Sequence, residues 1–174
     1  MPLLKVETTK ISGLKLIVPV VYEDYRGSYT ETYDSKNWAE VTNNTVFVAD
    51  GVSVSRKNVM RGIHGDYENI KLVTAMYGTY YAVIVDNRPD SPTYKQWESF
   101  ILSGTNKHQL YIPAGCGNSV LALDEHNVYH YKQSAHYVPG KQFTLMWDDP
   151  LLNIHWPVKD MIISDRDQNG EYLK

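Results

Sequence analysis

Short runs of β-branched and aromatic residues recur along almost the whole chain, and this recurrence constrains the fold more than any other feature. The runs cover residues 14–22, 45–49, 71–77, 80–86, 97–102, 109–112, 119–123, 128–132 and 143–147. Turn-forming residues stand between them, as in 87–90, 104–106, 113–115 and 139–140. Many short strands with such separators are typical of a sandwich, barrel or jelly roll. The pattern predicts an all-β fold with a single domain over residues 1–174.

Helical signals are few. Ser35 can cap a short helix that would run through Trp38 to Val41, and the tail after Asp165 can hold another. No repeat, low-complexity segment or linker divides the chain. We therefore expect short helices only at the periphery of the sheets.

Alternate side chains of a strand share a face, so a period of two predicts which residues line a common cavity. The faces predicted in this way are Lys71, Val73, Ala75 and Tyr77 in one run, and Tyr129 and Tyr131 in another. A lysine that heads an otherwise apolar face lies either at the rim of a barrel or inside a polar pocket. Both interpretations remain open for Lys71.

The charge and the aromatic composition limit the classes of ligand. A net charge of -3 and a pI near 6.0 argue against a nucleic-acid-binding protein, which needs a basic face. One diphosphate needs only two or three arginine or lysine residues, so it stays compatible. The fourteen tyrosines, against three phenylalanines, indicate amphipathic strands or a pocket for a polar, ring-shaped ligand.

The chain has one cysteine, Cys116, so an intrachain disulfide cannot form. The apolar run near the N-terminus is interrupted by Lys15 and Pro19 and does not resemble a signal peptide. No stretch approaches the ~20 apolar residues of a membrane span. We expect a cytoplasmic protein without membrane contact.

A series of short motifs stands in order between residues 22 and 168. They are DYRGSYTE at 24–31, SVSRKNVMRGIH at 53–64, KLV at 71–73, VDNR at 85–88, SPT at 91–93, QLYIPAG at 109–115, WDDP at 147–150, IHWP at 154–157 and SDRD at 164–167. In order and spacing they resemble the dTDP-4-dehydrorhamnose 3,5-epimerases and their relatives that act on other nucleotide 4-keto sugars. The resemblance implies a cupin jelly roll and a homodimer in which the first strands cross to the partner. It also implies catalysis without a metal ion or an organic cofactor.

The reaction of that family explains which groups such a site needs. A hydrogen beside a ketone is the most acidic C–H group of the sugar, so a base can remove it and leave an enolate. A proton returned to the opposite face inverts the carbon. The protein must supply a base, a proton donor on the other face and a group that stabilises charge on the ketone oxygen.

The resemblance implies a catalytic role for four residues. His64 matches the base, Asp167 the carboxylate partner of that histidine, Tyr131 the proton donor and Lys71 the cation near the ketone oxygen. Each also has an ordinary structural interpretation: a core histidine, a solvated acid in a charged tail, a cavity-lining tyrosine and a rim lysine. Tyr129 shares the predicted face of Tyr131 and competes with it for the role of donor.

Five further positions match ligand-binding positions of the family. Arg26 and Arg61 match diphosphate ligands, and Arg26 is expected to reach in from the partner subunit. Tyr29 stands where the family usually has phenylalanine against the ligand, and Glu31 follows two positions later; the alternative interpretation of both is a surface strand residue. Asn118 replaces a family histidine and can bond a phosphate or sugar oxygen without carrying charge.

Two further departures concern the walls of the expected pocket. The family motif Q-x-N before S-x-S is here 49–51, with the sequence ADG, and the aromatic residue and glutamine after His64 are Gly65 and Asp66. In the family the Q-x-N side chains help to bind the nucleotide, so their loss points to a divergent substrate. One hypothesis is a GDP-linked 4-keto-6-deoxy-heptose used in capsule synthesis, in place of a dTDP-linked hexose.

Two other functions compete with epimerisation. A metal-dependent cupin usually has several histidines and a glutamate as ligands; here His64 is present, Asp66 and Asn118 take other ligand positions, and Glu68 could complete an oxygen-rich site. A non-catalytic sugar-nucleotide-binding cupin would keep the two arginines. It would have no need of a base, a phenol and a lysine together.

Overall fold

The computed structural model describes residues 4–174, and these consist mainly of antiparallel strands and the turns between them. The strands are β1 (Leu4–Thr8), β2 (Lys15–Pro19), β3 (Tyr22–Asp24), β4 (Gly27–Tyr29), β5 (Ala49–Arg56), β6 (Met60–Gly65), β7 (Lys71–Tyr77), β8 (Thr79–Asp86), β9 (Trp97–Ser103), β10 (Gln109–Ile112), β11 (Cys116–Ala122), β12 (His126–Gln133) and β13 (Phe143–Thr144). The helix α1 (Asp165–Gln168) lies near the C-terminus.

Two sheets form the body of the fold. One has six strands in the order β1-β2-β10-β7-β12-β5, and the other has five in the order β13-β6-β11-β8-β9. Strands β3 and β4 form a separate hairpin. Neighbouring strands are mostly distant in sequence, as in a jelly roll. The prediction of an all-β jelly roll with a short peripheral helix is confirmed.

Apolar side chains fill the space between the sheets. Val73 and Tyr129 of the six-stranded sheet belong to one buried cluster with Tyr80 and Ile84 of the five-stranded sheet. The four residues are at most 3% exposed. Burial of this apolar surface is what holds the two sheets face to face.

The outer faces of the sheets are covered by irregular segments. Trp38, which is 1% exposed, packs with Ile17 and Leu72 on the six-stranded sheet. Leu152 packs with Ile63 and belongs to the C-terminal segment that covers the five-stranded sheet. That segment continues to α1, which contacts β6. The C-terminal segment that covers the five-stranded sheet thus places the helix α1 beside strand β6.

The observed strands agree with most of the predicted runs. Runs 71–77 and 109–112 coincide with β7 and β10, and runs 80–86, 97–102, 119–123 and 128–132 differ from β8, β9, β11 and β12 only at the ends. Run 14–22 is divided between β2 and β3, and run 143–147 is paired at Phe143–Thr144 in β13 and at Leu145, which forms an isolated bridge with Glu171. Run 45–49 is wrong as a strand, because regular pairing begins at Ala49 and continues in β5.

One of the two predicted helices is present. The tail forms α1, and the Ser164 side chain accepts a hydrogen bond from the backbone N–H of Asp167 as an N-cap. The helix from Ser35 is wrong, and residues 35–44 form turns. The backbone N–H of Trp38 donates to Asp34 four positions earlier, but that of Ala39 donates to Lys36 three positions earlier, so the regular bond series of an α-helix does not form.

The face predicted for β7 also needs a correction at its end. The pairing of β12 with β7 shifts by one residue, so that Val128 pairs with Tyr77 and Tyr129 with Ala75. This bulge adds a residue to β7 and reverses the alternation after Ala75. Tyr77 is therefore 62% exposed while Ala75 is buried.

Within residues 4–174, no helix has the length and apolar character needed to cross a membrane.

Candidate active site

A cavity of about 570 Å³ opens between the two sheets at the end where α1 is docked. Five of the residues proposed from the sequence line it together with Asp167 of α1. They are His64 and Arg61 on β6, Asn118 on β11, Lys71 on β7 and Tyr131 on β12. The two sheets thus contribute opposite walls of one cavity, with His64 on one wall and Tyr131 on the other.

The His64 ring is held by a carboxylate on its far side. Its Nε2 atom lies 2.5 Å from Oδ1 of Asp167, and the other carboxylate oxygen accepts a hydrogen bond from the backbone N–H of Gly62 at 3.2 Å. The Asp167 residue is 2% exposed, and the His64 side chain is 25% exposed. The histidine therefore has one side fixed inside the protein and another open to the cavity.

The charge state of Asp167 follows from its surroundings. Burial alone would raise its pKa, but hydrogen bonds from His64, the Gly62 backbone and Ser164 outweigh burial and lower the pKa below its ordinary value. Asp167 is consequently a carboxylate at neutral pH. Because a carboxylate only accepts hydrogen bonds, the Nε2 atom of His64 must carry the proton of this contact.

A bulge explains how Arg61 and His64 line the same cavity although three positions separate them. His64 pairs with Asn118, whereas Arg61 pairs with Val120, so β6 has one residue more than β11 in this interval. In a regular strand residues three apart point to opposite faces, and the extra residue reverses this alternation. The extra residue lies where Gly62 has a φ of 123°, and an added Cβ there would lie 2.6 Å from the Asn118 carbonyl oxygen.

The environments of the two competing tyrosines differ. Tyr129 is 3% exposed, its hydroxyl accepts a long hydrogen bond of 3.4 Å from Asn118, and burial raises its pKa well above the ordinary range. Tyr131 is half-buried, and within residues 4–174 its hydroxyl has no hydrogen-bond partner. Tyr131 therefore presents a free phenol to the cavity, while Tyr129 forms its floor.

Lys71 is inside the cavity and has no ion-pair partner among the described residues. Burial lowers the pKa of its ammonium, Asp66 counteracts this, and the positive charge of Arg166 lowers it further. Of the two interpretations from the sequence, the polar pocket is the correct one. An ammonium inside the cavity without a partner among the described residues can donate to an oxygen of a ligand.

Asn118 shares the cavity with two polar residues that the sequence did not indicate, Arg166 and Gln142. The side-chain oxygen Oδ1 of Asn118 is buried and has no hydrogen-bond partner among residues 4–174. The Arg166 guanidinium donates to Thr144 and to Gln142. Sequence reasoning missed Arg166 as a site residue, although its position directly before Asp167 could have indicated it.

Three of the proposed ligand-binding residues lie outside the cavity lining of this chain. Arg26 and Tyr29 belong to the hairpin β3–β4, where Arg26 pairs with Asp24 at 2.5 Å. Tyr29 is 65% exposed, and Glu31 accepts a hydrogen bond from Asn37. One chain therefore does not bring these three residues to His64.

The residues near His64 do not resemble a metal centre. Within residues 4–174, no three His, Cys, Asp or Glu side chains are grouped so that they could hold a metal ion. Glu68, which an oxygen-rich site would need, instead pairs with Lys141 at 2.7 Å. Asp66 accepts a hydrogen bond from the backbone N–H of Glu68.

A phenylalanine from another strand covers Gly65. Gly65 pairs with Phe143, and a Cβ added at Gly65 would collide with Cζ of that ring and lie 2.6 Å from its Cε2. Phe143 also packs against Tyr67, with ring centroids 5.2 Å apart. An aromatic ring thus fills the space beside His64, although it comes from β13 and not from the residue after the histidine.

Comparisons with known proteins identify the family of the chain. A family model described as dTDP-4-dehydrorhamnose 3,5-epimerase matches residues 8–174. The enzyme of that name from Methanothermobacter thermautotrophicus is 36% identical over 171 residues, which cover 95% of this chain and 92% of that protein.

Two solved structures are similar over nearly the whole chain. The Bacillus anthracis dTDP-4-dehydrorhamnose 3,5-epimerase with TDP and PPi bound has a TM-score of 0.94 at 37% identity, covering 98% of this chain and 99% of that one. The Legionella pneumophila dTDP-6-deoxy-D-glucose-3,5-epimerase in complex with dTDP-4-keto-L-rhamnose has a TM-score of 0.92 at 35% identity, covering 97% and 92%. The chain therefore belongs to the dTDP-4-dehydrorhamnose 3,5-epimerase family and is an isomerase with the cupin jelly-roll fold.

Proposed function

We propose that the chain inverts C3, C5 or both, beside the C4 ketone of a nucleotide-linked 4-keto-6-deoxy sugar, and needs no metal ion to do so. The observation that carries this proposal is the position of His64 and Tyr131 on opposite walls of one cavity that also contains Lys71. A base and a donor on opposite sides are what inversion requires. The product would serve the synthesis of surface polysaccharides or glycosides, and the cytoplasmic location expected from the sequence stays a prediction.

In the first step the His64 imidazole takes the proton from the carbon beside the ketone. The electron pair of the C–H bond moves into the ring, and the negative charge develops on the ketone oxygen. Since Nε2 carries the proton shared with Asp167, Nδ1 is the nitrogen with the free lone pair. The Asp167 carboxylate then stabilises the imidazolium that forms.

In the second step the phenol of Tyr131 gives its proton to the same carbon from the opposite face. The Lys71 ammonium stabilises the enolate oxygen until the carbonyl forms again. Tyr131 regains a proton from solvent, and His64 releases one to solvent, so the reaction has no net change in protons. The burial that lowers the Lys71 pKa makes its ammonium a better donor to that oxygen.

Solvent exchange tests this proposal. In deuterated water, an epimerase should place deuterium at C3, at C5 or at both in a 4-keto nucleotide sugar, and NMR or mass spectrometry measures the incorporation. A non-catalytic binding protein would leave both hydrogens in place. Absence of exchange with every 4-keto nucleotide sugar tried, although binding occurs, would refute the proposed reaction.

The diphosphate would be held by arginines. Arg61 lines the cavity, and its side chain donates to the Ser55 hydroxyl at 3.1 Å and to the Val54 carbonyl, which orients the guanidinium before a ligand arrives. Asn118 has the capacity to bond a phosphate or sugar oxygen. We assign the second diphosphate contact to Arg26 of the partner subunit, accompanied by Tyr29 and Glu31.

Two surface features support the homodimer that this assignment needs, with one domain over residues 1–174 in each subunit. Strand β5 ends the six-stranded sheet, and its outward residues Val52 and Val54 are 60% and 68% exposed. Tyr25, at the tip of the hairpin β3–β4, is 95% exposed. Uncovered apolar residues on an edge strand and on a projecting hairpin are typical of a surface that another chain covers.

Mixing two inactive variants tests whether the site is shared. In a mixed dimer of Arg26→Ala and His64→Asn, a shared site has one cavity with both residues intact. Random mixing should then restore about a quarter of the wild-type sites. Each variant mixed with itself is the control. If the mixture stays as inactive as the separate variants while a dimer forms, Arg26 acts in its own subunit.

The identity of the nucleotide and sugar separates two candidate substrates. The two solved relatives described above carry dTDP-linked or TDP ligands, which favours a dTDP-linked hexose. A GDP-linked heptose is favoured by the β5 wall, where Ala49 and Gly51 offer no side-chain hydrogen bond to a nucleotide. Calorimetric titration with dTDP and with GDP compares the two directly. Tighter binding of dTDP would reject the GDP-linked substrate.

A further inference from the structure

Tyr131 has two cross-strand neighbours of very different size. It pairs with Val73 on β7 and with Gly51 on β5. Val73 is 1% exposed and belongs to the core cluster against which Tyr131 packs. Gly51 presents no side chain. The ring is therefore supported on the β7 side and open on the β5 side.

The Tyr131 ring occupies the space that a side chain at position 51 would fill. A Cβ added to Gly51 would lie 2.5 Å from Cε2 and from the hydroxyl oxygen of Tyr131, and would also collide with Cζ. Gly51 does not have a left-handed φ, so its backbone would accept any residue. Position 51 therefore requires glycine only because a larger side chain would collide with the Tyr131 ring. The collision would be at the end of the ring that carries the hydroxyl.

Position 51 is the exception on its face of β5. The next positions on that face are Ala49, which pairs with Gln133, and Ser53, which pairs with Tyr129. Both have a Cβ opposite their partner. The position without one is opposite the tyrosine whose hydroxyl is free.

Building on the proposed function, we propose that Gly51 is a positioning residue that sets where the Tyr131 phenol stands, and thereby how well the chain returns a proton to the far face of the sugar. Proton transfer to carbon requires the donor at a defined distance, and a displacement of about 1 Å can reduce a rate by about 10²-fold. A side chain at position 51 would push the hydroxyl away from β5 by a distance of that order. Abstraction by His64 on the other wall would be unaffected.

The inference also explains a departure from the family pattern. That pattern has asparagine at position 51, and an asparagine there cannot coexist with the ring in its present place. In this chain the ring would have to move to admit a side chain at position 51. The glycine and the placement of Tyr131 therefore belong together as one feature of this chain.

The test compares hydrogen exchange with inversion in the same sample. Gly51→Ala and Gly51→Asn are assayed in deuterated water with the 4-keto nucleotide sugar that the wild type exchanges best. We expect exchange within about threefold of wild type and inversion reduced at least about tenfold, more for asparagine than for alanine. In the Tyr131→Phe background, Gly51→Ala should reduce inversion no further, because the donor is already absent.

Ala49→Ser is the matched control, because it adds one atom to the same face of β5 opposite Gln133. Whatever its effect on nucleotide affinity, it should leave the ratio of inversion to exchange unchanged when both are measured at saturating sugar, and thermal unfolding should be similar for all variants. A wild-type ratio in Gly51→Ala would overturn the inference. So would an equal loss of inversion in Gly51→Ala and Ala49→Ser, or an equal effect of Gly51→Ala with and without the Tyr131 hydroxyl.

A second measurement does not depend on activity, so the failure of the proposed reaction can be distinguished from the failure of this inference. If the aromatic ring stands over Gly51, its ring current shifts the α-proton resonances of that glycine, and Tyr131→Leu should move them toward ordinary values. Tyr129→Leu is the control. Resonances that do not respond to Tyr131→Leu would overturn the inference, whichever sugar the chain acts on.

Discussion

The two sheets contribute walls of opposite character to the same cavity. On the five-stranded wall His64 is oriented by a buried carboxylate, and the bulge in β6 brings Arg61 beside it. On the six-stranded side the inward face of strand β5 carries Ala49, Gly51 and Ser53, which are among the smallest residues, and Ser53 lines the cavity. Side chains of the five-stranded wall make hydrogen bonds within the protein, whereas the small side chains of β5 leave space for a ligand.

This difference indicates how chemistry and substrate choice are divided in the molecule. A base needs a fixed orientation and a fixed tautomer, and both come from contacts inside the protein such as the one between His64 and Asp167. The β5 wall keeps few side-chain contacts with its surroundings, so substitutions there alter the shape of the cavity without disturbing the base. The chain departs from its family pattern on both walls, at Gly65 and Asn118 on the first and at Ala49 and Gly51 in strand β5 on the second.

The largest effect should come from the wall that contains the base. His64→Asn removes the only imidazole that lines the cavity among the described residues, and we expect deuterium exchange to fall about 10³-fold, within the usual range for loss of a general base. Nucleotide binding, measured by calorimetry, should persist because the arginines remain. Exchange at more than a tenth of the wild-type rate would show that another group is the base.

The next effect should separate the two tyrosines on the opposite wall. Tyr131→Phe should reduce inversion about 10²-fold and exchange only a few-fold, because abstraction occurs on the other face. Tyr129→Phe is the matched control, since it removes a hydroxyl already engaged by Asn118, and it should change the ratio of inversion to exchange little. The opposite ranking of the two variants would make Tyr129 the donor.

The sequence predicts the architecture and most of the cavity because its signals there are local or carried by long motifs. The alternation in 71–77 and 128–132 corresponds to β7 and β12, and Lys71 and Tyr131 share the cavity as a common inward face requires. The family motifs led to the pair of His64 and Asp167 across more than a hundred positions. Strands with regular apolar alternation, and residues within a recognisable motif, could thus be predicted from the sequence.

What the sequence did not predict depends on contacts between strands. A period of two places Arg61 and His64 on opposite faces of β6, and only the resemblance to the family assigned both to the site. The bulge in β6 reverses the alternation and brings them to the same cavity. Strand β5 was not predicted from the sequence, because its inward side chains are small and its apolar residues Val52 and Val54 point outward. The ring of Phe143 over Gly65 is a cross-strand packing contact, which no single segment encodes.

The five-stranded sheet contains a second buried, hydrogen-bonded carboxylate. Removing its charge should lower the stability of the fold without changing the reaction. Asp86 at the end of β8 is fully buried and accepts hydrogen bonds from Arg88, Ser91 and Thr93. Burial alone would raise its pKa, but these bonds hold the pKa at about 2. Asp86→Asn should lower the free energy of unfolding by about 2 kcal/mol at pH 7.

The pH dependence of that loss follows from the depressed pKa. A carboxylate whose pKa is lower in the folded than in the unfolded state stabilises the fold above its unfolded value near 4, and this contribution disappears as the pH falls toward 2. Urea titrations of wild type and Asp86→Asn should therefore converge in that interval. Asp90→Asn, at an exposed position, is the control and should change stability by less than about 0.5 kcal/mol. A difference that stays constant between pH 7 and pH 2 would contradict this account.

The smallest effect should come from returning one family side chain to the β5 wall. Ala49→Gln adds a donor and an acceptor on the inward face of β5 opposite Gln133, and one new hydrogen bond to dTDP is worth about 0.5–1.5 kcal/mol, or roughly two- to tenfold in affinity. Ala49→Leu is similar in length but cannot form that bond, and it should not improve binding. If leucine improves dTDP affinity as much as glutamine does, the wall binds the nucleotide by shape alone. If neither changes it, the nucleotide does not touch β5, and the contrast between the two walls does not extend to substrate choice.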